Sequence, residues 1–112
     1  MGTQQIVKCK SCGLCYVNPR IKSNIIINSY SEADDSLYAS QAKGRIDTFK
    51  DSLSFIEKHY PKKGKILDIG AAAGFFLKVA KDNGWEVSGI EPSKWSSNYG
   101  NKNYQVNIKQ GT

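Results

Sequence analysis

Only two arginines, Arg20 and Arg45, and one histidine, His59, stand among the 112 residues. No apolar run approaches the roughly 18 residues that a membrane-spanning helix needs, and the amino terminus lacks a signal-peptide pattern. Both absences lead to the expectation of a soluble, cytoplasmic protein with no membrane partner. The net charge of +6 comes almost wholly from lysines spread along the chain. Proteins that read nucleic acid gather charge on one face and favour arginine for bidentate contacts, so a nucleic-acid partner is not expected. The three cysteines, Cys9, Cys12 and Cys15, are an odd number within seven residues. They cannot close a multi-bridge disulfide framework, which leaves metal chemistry or reduced thiols. A solitary histidine near a helix end is ordinarily a surface or cap residue, and His59 is given no role.

What is present describes one small domain. Hydrophobic residues make up 39% and charged residues 23%, a globular balance, and a chain of this size buries roughly 60 to 70 per cent of its unfolded surface. One modest core is expected.

From Ile6 to Arg20 a short apolar approach, a C-x-x-C-G turn and a C-Y-V strand follow one another, as in one knuckle of a zinc ribbon. Residues 21 to 43 show no firm period and read as an arm or linker. Apolar residues then recur at Ile46, Phe49, Leu53, Ile56 and Tyr60 in steps of three and four, the mark of one helix face. Pro61 should stop that helix near Tyr60, while Phe55 lies off the stripe, either exposed or against the arm.

Beyond Gly64, the run Lys65 to Ile69 reads as a buried parallel strand. Phe75 to Asn83 reads as a helix closed by Gly84, and Val87 to Ile90 as a second strand ending at Glu91. Pro92-Ser93 opens a short helix, and Tyr104 to Ile108 alternates as a third strand. Helices alternating with strands imply a parallel sheet with right-handed crossovers, whose ligand site lies outside the carboxyl ends of the strands.

Two features meet at that end. The loop Asp68-Ile69-Gly70-Ala71-Ala72-Ala73-Gly74 is built of small residues that let a charged ligand approach the backbone, and the following helix there exposes unpaired amides. Glu91, at the tip of the next strand, can accept both hydroxyls of an adenosine ribose.

With these residues in hand, ILDIGAAAGFFL followed by VSGIEPS resembles the first two motifs of class I S-adenosylmethionine-dependent methyltransferases. The resemblance implies an α/β fold: the first three strands of a partial Rossmann-like, three-layer parallel sheet, preceded by an amino-terminal arm. Residues 1–43 form the knuckle and arm, and residues 44–112 the amino-terminal half of the cofactor-binding domain. It implies S-adenosylmethionine as cofactor and a small-molecule acceptor. Asp68 would orient the methionine end, the loop through Gly70, Ala71, Ala72 and Gly74 would pass beneath the cofactor, and Glu91 would hold the ribose. Ala72 departs from the resembled pattern, where a middle glycine is usual. No catalytic base is assigned.

Two other readings stay open. A nicotinamide or flavin dinucleotide domain also uses a glycine turn and a strand-end acid, although Gly70 to Phe75 does not supply its G-x-G-x-x-G. The chain could instead be a non-enzymatic module that binds partners through its knuckle and basic surface. CKSCGLCYVNPR resembles the second knuckle of a cysteine-rich module found before some methyltransferase domains, so Cys9 and Cys12 are expected to offer at most half of a zinc site. Because the first strand of the resembled sheet pairs on both sides, an open edge and self-association are expected here.

Overall fold

The structure is a computed structural model that describes residues 4–112. The chain runs β1 (Ile6–Lys8), β2 (Cys15–Val17), α1 (Ser23–Ser31), α2 (Ser36–Ser40), α3 (Ala42–His59), β3 (Lys65–Ile69), α4 (Phe75–Asp82), β4 (Glu86–Glu91), α5 (Lys94–Tyr104) and β5 (Ile108–Gln110). Strands β1 and β2 make the knuckle hairpin, paired antiparallel with Lys8 opposite Cys15. Strands β3, β4 and β5 form a parallel sheet in that order.

The helices gather on one face of this sheet because side chains alternate along each strand. Ile66 and Val87 point into a core made by Leu53 of α3, Val79 and Ala80 of α4, and Trp85. Trp85 also donates its indole N–H to Glu57 at 3.0 Å, tying α3 to the turn before β4. On the same face, Ala71, Leu77, Val106 and Ile108 form the neighbouring cluster. The opposite face is bare at β3, where Leu67 is 58% and Ile69 77% exposed. The expectation of a strand buried on both faces is therefore corrected: among the described residues only one layer of helices covers the sheet.

The long helix follows its apolar stripe. Leu53 is buried, Ile46, Phe49 and Ile56 pack at its sides, and the last helical residue is His59, with Tyr60 as the cap before Pro61. Phe55 is exposed and its ring lies 4.7 Å from that of His59.

Two segments differ from the sequence reading. The arm, which showed no period, carries α1 and α2, and Ala39 of α2 is buried with Ala73 and Phe75. Residues before position 44 thus join the α/β core. The third strand starts at Ile108, not Tyr104, because α5 runs to Tyr104 and ends with Gln105 in the left-handed conformation at φ 49°. Asn101 then fixes the strand's start, its side chain accepting from the Ile108 amide and donating to the Ile108 carbonyl, both at 2.8 Å. A side-chain amide imitating a neighbouring strand leaves no trace in an alternation pattern.

Candidate cofactor site

The loop after β3 is a sharp turn held from both sides. Gly70 and Ala71 donate to the Ile90 carbonyl at 2.8 and 3.1 Å, and Gly74 donates to Ala71 at 2.9 Å. Gly70, Ala72 and Gly74 all have positive φ, at 81°, 47° and 80°, a region that favours glycine. The two loop glycines serve different ends. A Cβ on Gly70 would meet nothing within 4 Å, whereas one on Gly74 would lie 2.9 Å from Ile108 Cδ1 and 3.2 Å from Val106 Cγ2. Gly70 therefore borders open space, and Gly74 lets the loop pack on β5.

Glu91 is buried, with 7% of its surface exposed. One carboxylate oxygen accepts from the Ala72 amide at 2.7 Å and the other from the Ser93 amide at 2.9 Å. The residue that the sequence marked as a ribose acceptor thus also clamps the loop to the end of β4, which lets Ala72 hold its positive φ. A carboxylate has about four lone-pair sites, so two remain.

Asp68 stands half-buried near the end of β3. Burial raises its pKa, and the charge of Glu91 raises it further. A carboxylate so placed is short of a positive partner. At the other end of the loop, α4 begins at Phe75 and leaves its first-turn amides without intrahelical acceptors.

The arm adds Ala33 and Asp35, which the sequence did not single out. Ser93 caps α5 by accepting from the Ser96 amide at 3.1 Å, and its hydroxyl donates to the Ala33 carbonyl at 3.3 Å. Ser96 bonds Asp35, so residues 33 to 35 are strapped beside Glu91. Tyr38 stacks on Phe75 with ring centroids 5.4 Å apart, and the Arg45 guanidinium lies 3.7 Å over the Tyr38 ring. Tyr30, by contrast, is exposed. Pro92-Ser93 had signalled the helix start, but nothing in the sequence pointed to its partners in the arm.

Two grooves, of about 290 and 390 Å³, lie instead along α5 and share Trp95 and Asn98. Neither is lined by Asp68, Glu91 or the loop.

A family model for the methyltransferase domain matches residues 38–111. The chain belongs to that methyltransferase family. Among solved structures, the PH0226 protein from Pyrococcus horikoshii OT3 is similar, with a TM-score of 0.55 and 21% sequence identity over 82% of this chain. That likeness shows the fold, and the chain spans 40% of that protein's length. No curated protein matches the chain at a significant level.

The matched segment of this methyltransferase domain starts in α2 and leaves out the knuckle. There the Cys12 and Ser11 amides, with help from the Cys12 side chain and Gly13, hold the Cys9 thiol below its ordinary pKa. Among the described residues no group of three or more His, Cys, Asp or Glu side chains is placed to hold a metal ion. Cys9 and Cys12 are accordingly free thiols, and the zinc reading of this pair is not supported. Nor is any helix of the described residues long and apolar enough to cross a membrane.

Proposed function

We propose that this methyltransferase domain binds S-adenosylmethionine across the loop after β3 and serves methyl transfer to a small-molecule acceptor. One observation carries the reading. Asp68 and Glu91 stand at the carboxyl ends of adjacent parallel strands, near enough that the charge of Glu91 raises the pKa of Asp68, beside a glycine that faces open space.

The residues fit the cofactor group by group. Asp68 offers its charge to a cationic tail, which relieves the cost of keeping a half-buried carboxylate ionised. Gly70 admits the ligand against the backbone, with Ala71, Ala72 and Gly74 completing a floor of small residues. Glu91 keeps two acceptor sites for ribose hydroxyls while the Ala72 and Ser93 amides fix its orientation. When bound, S-adenosylmethionine supplies a methyl group on a positively charged sulfur. The chain's part is then to hold and align, the source of most of the advantage in a displacement that needs little acid or base help.

The test is thermal unfolding with increasing S-adenosylhomocysteine. A ligand that binds only the folded chain stabilises it by about 2.7 kcal/mol at a hundred times its dissociation constant, so the melting temperature should climb with concentration. Glu91→Ala should abolish the climb. A melting temperature that is flat across millimolar ligand would reject the proposal.

A further inference from the structure

The three cysteines of the knuckle take no part in the cofactor site, and the hairpin sorts them into a pair and a single. The Cys9 amide donates to the Leu14 carbonyl at 2.8 Å, so the ladder of β1 and β2 runs one residue past Lys8. The Gly13 amide then returns to the Cys9 carbonyl at 3.0 Å, with Gly13 at φ 79°. This turn folds Cys12 back onto Cys9, whose sulfur accepts from the Cys12 and Ser11 amides and meets the Cys12 thiol. Cys15 is directed elsewhere. It pairs with Lys8 and, because side chains alternate along a strand, it projects from the face opposite to Cys9. Its thiol turns back to the Gly13 carbonyl at 3.9 Å.

The surroundings favour a reactive thiol. Lys8 and Lys10 flank Cys9, and no acidic residue stands between Met1 and Glu32. Cations and amide donors stabilise the thiolate, which is the nucleophilic form, and the Cys9 pKa is lowered accordingly. Cys12 is exposed and Cys9 half-buried, so reagents in solution reach the pair. We infer that Cys9 and Cys12 form a redox-active dithiol, which exchanges with a small-molecule disulfide such as glutathione disulfide and closes to an intramolecular disulfide. The Cys9 thiolate attacks one sulfur of glutathione disulfide, the S–S bond breaks, and one glutathione leaves as a thiolate that takes up a proton. The Cys12 thiolate then attacks the Cys9 sulfur of the mixed disulfide and expels the second glutathione. Two protein thiols are oxidised and one disulfide is reduced to two thiols, so the balance needs no other oxidant. The knuckle precedes the segment matched by the methyltransferase family, and the exchange is separate from cofactor binding.

The experiment takes the full 112-residue chain, reduced and treated with a chelator, through buffers of decreasing ratio of glutathione to glutathione disulfide. Free thiols are trapped with an alkylating reagent and located by peptide mass spectrometry. The wild type should lose the Cys9 and Cys12 labels together and yield a Cys9–Cys12 disulfide, with Cys15 labelled throughout. Cys12→Ser should stop at a glutathione adduct on Cys9, Cys12→Ala should do the same, and Cys15→Ser should still close the disulfide. Far-UV circular dichroism checks that each variant keeps the fold. Three labels retained at every ratio, a disulfide to Cys15 or between chains, or equal adducts on all three cysteines would overturn the inference.

Discussion

Asp68 is a carboxylate held at a cost to the fold. Its pKa is raised by burial and then by Glu91, so the folded chain holds the Asp68 proton more tightly than the unfolded chain does. The sign follows from linkage: ionisation favours the unfolded state as pH rises from the ordinary value of 3.8 through the raised one, and the penalty stays constant above that. Asp68→Asn should therefore melt at a higher temperature than the wild type at pH 7, with the gap closing towards pH 3.5, and should bind the cofactor less well. Equal melting temperatures at pH 7 would mean that Asp68 is not under strain. Asp68, Gly70 and Glu91 were legible in the sequence because small residues and acids at strand ends form a local pattern. The partners of Ser93 and Asp35 were not, since they lie across the fold: Ser93 and Ala33 are 60 positions apart, Ser96 and Asp35 61.

At the scale of elements, close approach between α5 and the loop sets the site's shape. A Cβ on Gly100 would lie 2.8 Å from the Ala73 carbonyl oxygen and 2.7 Å from Ile108 Cδ1, and the carbonyl is backbone that cannot step aside. Gly100→Ala should cost about 1 to 3 kcal/mol in urea unfolding, the usual range for overpacking. Gly70→Ala meets no neighbour and should cost about 1 to 2 kcal/mol through its left-handed backbone alone. If Gly100→Ala were neutral, the helix would not be seated on the loop as described. The strands β3 and β4, and the helices α3 and α4, could be read from periodicity and punctuation. The start of β5 could not, because Tyr104 to Ile108 alternates in sequence while the chain is still leaving a helix. Helix α2 also escaped notice: five residues are too few to show a period, and it is packing of Ala39 and Tyr38 that places it.

At the scale of the whole molecule, β3 is the outer strand of the sheet, unpaired on one side among the described residues, and it carries two large exposed side chains, Leu67 and Ile69. Unpaired strand edges are templates for pairing with another chain, and we expect this chain to self-associate there. Sedimentation velocity over a range of concentrations should show the sedimentation coefficient rising, and Leu67→Lys should suppress the rise. A single monomeric boundary at every concentration would count against it. The one-sided sheet also explains why Lys65 to Ile69, apolar enough to read as a strand buried on both faces, is largely exposed: sequence reports what a strand can bury, and the helices present cover one side.

Amide NMR during titration with S-adenosylhomocysteine tests most directly whether the loop after β3 and the tip of β4 together bind S-adenosylmethionine. Saturable shifts concentrated at Gly70 to Gly74 and at Glu91 to Ser93 are the predicted result. No saturable shifts, or shifts confined to the groove around Trp95 and Asn98, would contradict it.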